Sequence, residues 1–169
     1  MFYDFNKLKQ MQNNNFLLKY AVQYLSKYTS SKKNLQRILK SKINRLSQNK
    51  KERAILYQNI EHITQQLEKN NLISDNEYTI NKIIFFAKNG KSQNYIKNYL
   101  FIKGINKKII SDQLALFENN NPNWEKESAI LFAKKKQLFG TKYNYEKKLT
   151  KMSQAGFSYT LSKEILTDY

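Results

Sequence analysis

The sequence predicts an all-α protein built from three tandem three-helix repeats that form an elongated, curved array. Apolar residues recur at steps of three and four along most of the chain, which is the spacing of one helix face. A second observation is a pattern of glycine, large apolar residue and Asn or Ser that occurs at Gly104 and returns 52 residues later at Gly156. Glycine favours the left-handed end of a helix, and Asn or Ser caps the start of the next one. Repetition at this period is typical of helical arrays.

The first repeat is predicted over residues 14–73, after a flexible N-terminal arm of residues 1–13. Its first helix is expected from Asn14 to about Lys27, and Ser31 belongs to the polar stretch that caps the second. Two more apolar stripes define the second and third helices of the repeat. These stripes consist of Leu35, Ile38, Leu39, Ile43 and Leu46, and then Ile55, Leu56, Ile60, Ile63 and Leu67.

The second repeat is predicted over residues 74–121. Asn71 can adopt the left-handed conformation that ends the preceding helix, and Ser74 with Glu77 has the spacing of a capping box. The fourth helix is expected to stop at Gly90. Ser92 and Asn106 are the expected caps of the fifth and sixth helices.

The third repeat is predicted over residues 122–169. Pro122 is the only proline in the chain, and proline suits the first turn of a helix, so the seventh helix is expected to start there. This helix is expected to stop near Gly140. The eighth and ninth helices flank Gly156.

The charge of the chain is strongly unbalanced. Its 169 residues include 30 Lys plus Arg and 13 Asp plus Glu, for a net charge of +17. Such a charge predicts attraction to polyanions or to acidic protein surfaces. The alternative is a codon bias toward Lys, Asn and Ile, with lysine serving only for solubility. The excess is concentrated in residues 1–74, which carry 14 basic and 4 acidic residues.

Residues 32–53 form the most basic segment, with Glu52 as its single acid. Lys33, Arg37 and Lys40 fall at positions i, i+4 and i+7, so they form a row away from the apolar stripe. Like charges at this spacing cost on the order of 0.2–0.5 kcal/mol per pair, which a bound polyanion would remove. A solvated helix face is the alternative. The candidate partner- or DNA-binding residues here are Lys32, Lys33, Arg37, Lys40, Lys42 and Arg45.

Two smaller sets complete the candidate binding residues. Lysines surround Gly90, although they would equally suit the negative end of the fourth helix. Two tyrosines lie outside the apolar stripes and would stack on bases or fill a partner's pocket. Tyr95 and Tyr99 are instead expected in the core, and the lysines of residues 134–136 in solvent. The added candidates are Lys88, Lys91, Lys97, Lys103, Tyr143 and Tyr145.

No catalytic residue, metal ligand or cofactor is expected. The chain has no cysteine, and its single histidine, His62, is expected to be structural or solvated. It also lacks a Ser/His/Asp set, a P-loop and a Gly-rich dinucleotide turn, so a non-enzymatic function is predicted. The apolar runs are too short to span a bilayer, and the N-terminus lacks signal-peptide features, so a cytoplasmic protein without a membrane partner is expected.

Four stretches of the chain together carry a family resemblance. Residues 20–39 form an opening helix pair, and residues 72–78 are similar to a Gly-Tyr-Leu-Asp-Asp-x-x-Tyr-Ala junction. Residues 90–105 match a second-repeat signature, and residues 156–159 match a closing helix pair. In their order and spacing these stretches resemble the RecX family of bacterial recombination regulators, and the likeness covers most of residues 16–168.

The chain departs from the family pattern at particular positions. Asn71 stands where the family usually has glycine, Ser74 where it often has Asp, and Thr79 where it usually has Ala. The first two preserve the local physics, because Asn tolerates the left-handed conformation and Ser caps a helix. Lysine replaces arginine at many family positions, which weakens the expectation of bidentate contacts.

The resemblance implies a protein that binds the RecA recombinase filament in its helical groove and contacts more than one protomer. It further implies inhibition of RecA ATP hydrolysis, strand exchange and coprotease activity, with filament disassembly, in recombination, DNA repair and the SOS response. A monomer is expected. The alternative function, argued from the residues alone, is a basic helical protein that acts directly on single- or double-stranded DNA.

Overall fold

The computed structural model describes residues 5–167, with side-chain surroundings from Asn15 onward, and this range is made of helices and turns without a strand. The all-α prediction is confirmed. The helices are α1 Phe5–Leu25, α2 Lys32–Leu46, α3 Lys50–Lys69, α4 Asp75–Lys88, α5 Gln93–Ile102, α6 Lys107–Asn120, α7 Trp124–Lys135, α8 Tyr145–Gln154 and α9 Tyr159–Thr167.

The predicted helix ends are confirmed at the polar caps and at the glycines. The side chains of Ser31, Ser92 and Asn106 accept hydrogen bonds from backbone N–H groups in the first turns of α2, α5 and α6. Asn71 has a φ of 55°, which is the left-handed conformation predicted for it. The glycines that end α4, α5 and α8 also have positive φ: 75° at Gly90, 82° at Gly104 and 88° at Gly156.

Helices α1 and α7 have different ends from those predicted. Helix α1 begins at Phe5 rather than Asn14, so residues 5–13 of the predicted arm are helical and residues 1–4 lie outside the described part of the chain. Helix α7 begins at Trp124, two residues after Pro122. It ends at Lys135 rather than near Gly140, because Gln137 adopts the left-handed conformation with a φ of 55°.

The chain divides into two compact units, residues 1–78 and 79–169. In the first unit α1, α2 and α3 pack on one another. Their apolar stripes form one core that includes Leu17, Leu39, Ile63 and Leu67. The stripe predicted for α2 is buried at Leu35, Leu39 and Ile43, which leaves the opposite side of that helix in solvent.

The second unit contains the chain from Thr79 onward. Helix α5 packs on α6, and α9 packs on α7 and α8. Trp124 is buried, and its ring lies edge to face with that of Phe117, 5.5 Å between centroids, which joins α7 to α6. Ser128 Oγ donates to the carbonyl of Ala87, and this bond joins α7 to α4. The three-repeat division of the chain stays a prediction.

Candidate partner-binding surfaces

The solvent side of α2 is the most basic surface of the first unit. This 15-residue helix carries six basic residues and no acidic one. Lys33, Arg37 and Lys40 are exposed on the side opposite the buried stripe, and Arg45 is exposed in the last turn. We call Lys33, Arg37 and Lys40 the α2 basic row. Four of the six candidates on this helix are therefore accessible to a partner.

Lys32 is held by acidic residues of its own unit. Its Nζ lies 3.3 Å from Glu61 Oε1 and 3.1 Å from Glu68 Oε2, both on α3. The hydrogen bond with Glu68 is the largest influence on the pKa of the Lys32 ammonium, which lies above its ordinary value although partial burial lowers it. Burial raises the pKa of Glu61, but its bonds with Lys32, Gln36 and Gln65 outweigh burial, so the pKa is lowered overall. Lys32 thus links α2 to α3.

The amide of Lys32 has an acidic partner as well. Its N–H donates to Asp75 Oδ1 at 2.8 Å, so the first residue of α4 satisfies a donor at the start of α2. Burial is the largest influence on the Asp75 carboxyl and raises its pKa, although the bond from Lys32 lowers it. The second unit repeats this arrangement, because the N–H of Gln93 at the start of α5 donates to Glu125 Oε1 of α7 at 2.9 Å.

Lys42 is directed toward α1. Its Nζ lies 5.0 Å from the ring centroid of Tyr20 and 5.6 Å from that of Phe16. Cations are attracted to aromatic faces at these distances. Lys42 therefore contributes to the packing of α1 against α2, and the α2 basic row with Arg45 remains as the outward-facing set.

The lysines around Gly90 are distributed over different surfaces of the second unit. Lys88 is exposed at the end of α4. Lys91 and Lys103 lie over the rings of Tyr95 and Tyr99, with Nζ 4.6 Å and 5.5 Å from the ring centroids. Lys97 is exposed and donates to Gln93 Oε1 at 2.7 Å. Lys91 and Lys103 therefore lie against neighbouring rings of α5, while Lys88 and Lys97 are exposed on α4 and α5.

The two candidate tyrosines differ in accessibility. Tyr143 is half-buried against the core of α7, α8 and α9, between Lys142 and Lys151. Tyr145 is exposed in the first turn of α8. Tyr145 is therefore the one whose ring is open to a base or a partner.

Two cavities of the second unit contain lysines that the sequence did not select. One has a volume of about 380 Å³ and is lined by Lys91, Lys136 and Lys151, with Tyr95 and Phe132 among its other residues. The other, of about 370 Å³, is lined by Lys97, Lys107 and Phe101. Lys136 and Lys151 belong to separate helix ends, α7 and α8, so only the tertiary fold relates them.

A larger and mainly apolar groove lies between α4, α6 and α7. Its volume is about 670 Å³, and Ile80, Leu116 and Trp124 are among its lining residues. Among the described residues, no group of three or more His, Cys, Asp or Glu side chains is placed to hold a metal ion. In residues 5–167 no helix combines the length and apolar character needed to cross a bilayer.

Comparison with known proteins relates the whole chain to one kind of regulator. No family model matches it. The chain is 27% identical over 154 residues to the regulatory protein RecX of Myxococcus xanthus (strain DK1622), and the match covers 86% of this chain and 81% of that protein. It is 34% identical over 79 residues to the regulatory protein RecX of Haemophilus ducreyi (strain 35000HP / ATCC 700724). This match covers 47% of this chain and 50% of that protein.

Solved structures agree with this match at the level of the fold. The crystal structure of RecX from Lactobacillus salivarius has a TM-score of 0.67 and 24% identity, and the match covers 94% of this chain and 97% of that one. This chain is similar to RecX regulatory proteins in sequence and in fold. A second crystal structure of a regulatory protein RecX covers all of this chain and 80% of its own, with a TM-score of 0.72 and 19% identity.

The similarity to RecX proteins over most of the chain confirms the resemblance read from the four sequence stretches. The junction stretch, residues 72–78, directly follows Asn71, the observed left-handed end of α3, and includes the cap of α4, where Ser74 Oγ accepts from the N–H of Glu77. The closing stretch contains the glycine that ends α8 and the cap of α9, where Ser158 Oγ accepts from the N–H of Leu161. The motifs that carry the resemblance are thus helix-capping motifs.

Proposed function

We propose that this RecX-like protein binds the RecA filament and restrains its ATP hydrolysis, strand exchange and coprotease activity. Its relatives bear the name regulatory protein RecX, which supports a regulatory function. The observation that carries the proposal on this chain is the α2 basic row, three exposed cations on a helix without an acid. We propose that this row faces the filament, and that the protein acts as a cytoplasmic monomer.

Binding at several points would explain how such a protein restrains a filament. Several modest contacts made by one chain raise the apparent affinity, provided that the geometry lets all of them engage at once. A chain that bridges RecA protomers would favour one relative arrangement of them. Nucleotide turnover that requires a different arrangement would then be slower, because a ligand shifts an equilibrium toward the state that it binds more tightly.

A nucleic-acid-binding protein that acts directly on DNA is the second candidate function. The α2 basic row favours it too, because lysine and arginine neutralise phosphates without reading sequence. Salt dependence separates the two functions. Binding through six to ten phosphates falls by roughly 10³–10⁵ between 50 and 200 mM salt, whereas an interface formed mainly with RecA itself would weaken much less.

The test is RecA ATP hydrolysis on single-stranded DNA with increasing amounts of this protein. We expect the native chain to lower the rate at sub-stoichiometric ratios to RecA. For the triple variant Lys33→Ala/Arg37→Ala/Lys40→Ala, we expect that roughly tenfold more protein is needed for the same inhibition. Exposed charges at the edge of an interface contribute mainly to the association rate and to the orientation of the partners.

A matched control removes the same number of charges from exposed positions of the same unit. Lys50→Ala/Lys51→Ala/Lys69→Ala changes the two ends of α3 and leaves the α2 basic row intact. Circular dichroism should show both variants folded. A folded native protein that leaves the ATPase rate unchanged would remove the RecA proposal. Equal inhibition by the two triple variants would show that the α2 basic row is the wrong surface.

A further inference from the structure

The second unit brings three lysines from three helix ends to one cavity, here called the three-lysine cavity. Lys91 follows the end of α4, Lys136 caps the end of α7, and Lys151 lies in the last turn of α8. All three line the same space of about 380 Å³, together with Tyr95 and Phe132. This volume is within the range of small-molecule sites.

The charge of the three-lysine cavity is not compensated by its own lining. The lining contains no Asp or Glu. The salt bridges that Lys32, Lys108 and Lys126 make within the described residues do not involve a lysine of this cavity. The Nζ atoms of Lys91 and Lys151 instead lie 4.6 Å from the ring centroids of Tyr95 and Tyr143. Three converging cations without a carboxylate favour an anionic ligand.

At the end of α4, the helix end is neutralised by a residue outside the three-lysine cavity. Cations near a helix C-terminus offset its partial negative charge. At the end of α4 a different residue makes this contact, since Lys135 Nζ donates to the carbonyl of Asn89 at 3.3 Å. Lys91, Lys136 and Lys151 all line the same cavity.

The side-chain chemistry favours phosphate over carboxylate. Arginine is the residue suited to planar, bidentate contact with carboxylates, whereas lysine acts as a compact point charge and is a common phosphate ligand. All three cations of the cavity are lysines. Tyr95, which the sequence analysis expected in the core, is 38% exposed, so its ring is available to stack with a base.

The same combination recurs on the other side of α5. The second cavity, of about 370 Å³, places Lys97 and Lys107 beside Phe101, which is 57% exposed. Tyr95 and Phe101 are six residues apart, roughly 9 Å along the axis of a helix, and α5 contains no acidic residue. Two neighbouring sites that each combine lysines and an aromatic ring favour a polymer of phosphates and bases over a single small ligand.

We propose that the second unit binds single-stranded nucleic acid across α5, with a phosphate in the three-lysine cavity and a base against Tyr95. The strand continues toward Phe101, where Lys97 and Lys107 contact the next phosphates. This site is separate from the α2 basic row, and the proposal does not depend on RecA binding.

The experiment measures fluorescence anisotropy of a labelled 20-nucleotide oligothymidylate with the full chain, in the absence of RecA. We expect saturable binding by the native protein. For Lys136→Gln/Lys151→Gln we expect an affinity at least about tenfold lower at 50 mM salt. The slope of log affinity against log salt should fall by roughly 1.4, because each lost single-strand phosphate contact removes about 0.7.

The matched control is Lys147→Gln/Lys163→Gln, which removes two exposed lysines from α8 and α9 outside both cavities. It should retain most of the native affinity. Equal losses in the two double variants would overturn the proposal, because net charge alone would then explain binding. Equal affinity for a duplex of the same length, or stronger competition by polyglutamate than by unlabelled oligonucleotide, would also overturn it.

The phosphate in the three-lysine cavity could belong to a nucleic-acid strand or to a small free phosphate compound, and competition separates the two. Inorganic phosphate and dTMP are added as competitors of the labelled strand. Competition by the unlabelled strand at far lower concentration than either supports a strand-binding site. Competition by dTMP at the concentration of the strand itself would overturn the proposal and leave a mononucleotide site. Because RecA is absent throughout, none of these outcomes depends on the proposed regulatory function.

Discussion

At the scale of single residues, Asp75 joins the start of α4 to the start of α2. Its carboxylate accepts the N–H of Lys32, a donor that the first turn of a helix leaves without an intrahelical partner. Burial nevertheless raises the pKa of Asp75, and the charge of Glu68 adds to the increase. The ionised carboxylate is therefore less favourable in the folded protein than in water.

Asp75→Asn is expected to change how stability depends on pH. A carboxyl whose pKa is raised on folding binds its proton more tightly in the folded state. Its contribution to the free energy of unfolding is therefore greatest below the unfolded pKa, near 3.8. That contribution is lost as the pH rises through the pKa of the folded state. The asparagine does not titrate, and its oxygen can still accept from Lys32.

The free energy of unfolding of the Asn variant relative to the native protein should therefore increase from pH 3 to pH 7. Urea denaturation followed by circular dichroism at pH 3, 5 and 7 measures it. A relative stability that falls over this range would contradict the raised pKa.

Residue-level predictions succeeded where the determinant is local. Ser31, Ser92 and Asn106 cap the helices that directly follow them, because the side chain and the backbone N–H groups it satisfies are within three residues. Lys32 and Lys42 could not be assigned in this way. Their partners lie on α3 and α1, and only the packing of the helices brings them together.

At the scale of helices, the end of α8 is fixed by contact with the start of α5. Gly156 has a φ of 88°. A Cβ built on it would lie 2.6 Å from Ser92 Oγ. That hydroxyl donates to the carbonyl of Ala155 at 2.7 Å and accepts from the N–H of Tyr95, so it serves both helices. Glycine is required here for its conformation and for its lack of a side chain.

Gly156→Ala is therefore expected to destabilise the second unit. The left-handed conformation costs a residue with Cβ about 1–2 kcal/mol, and displacement of Ser92 should add the loss of a hydrogen bond, about 1 kcal/mol. Gly140→Ala is the matched control, because its Cβ would meet nothing within 4 Å. Thermal unfolding by calorimetry should show a lower transition for Gly156→Ala and little change for Gly140→Ala. Equal transitions would contradict the role given to the close contact.

Helix ends without a strong local signal were harder to predict. Residues 5–13 contain helix-forming Leu, Lys, Gln and Met without glycine or proline, so the helix continues through a stretch whose polar composition suggested an arm. In α7, Gln137 takes the left-handed conformation that is more typical of glycine or asparagine. A buried Leu138 directly after it supplies the tertiary contact that the sequence pattern could not reveal.

At the scale of the whole molecule, the fold class follows from periodicity and capping, whereas the binding surfaces require coordinates. The α2 basic row was predictable because one helix carries all three side chains. The three-lysine cavity was not, since Lys91, Lys136 and Lys151 are separated along the chain and belong to three helix ends. A cluster assembled across elements leaves no periodic signal in the sequence.

If this protein binds the RecA–DNA filament as proposed, its net charge of +17 predicts that electrostatics governs the rate of their association. Long-range attraction raises association rates by roughly 10–10³, and salt screens it over about 10 Å at 0.1 M. Mutations of rim charges act mainly on association, whereas close contacts determine dissociation.

Raising salt from 50 to 200 mM should therefore slow association with immobilised filaments about tenfold and change dissociation much less. Surface plasmon resonance measures both rate constants. Removing the α2 basic row by Lys33→Ala/Arg37→Ala/Lys40→Ala should reduce this salt dependence more than the α3 control variant does, because only the former lies on the proposed contact. An effect of salt mainly on the dissociation rate would contradict long-range electrostatic attraction during association. It would indicate instead that phosphate contacts hold the bound state together.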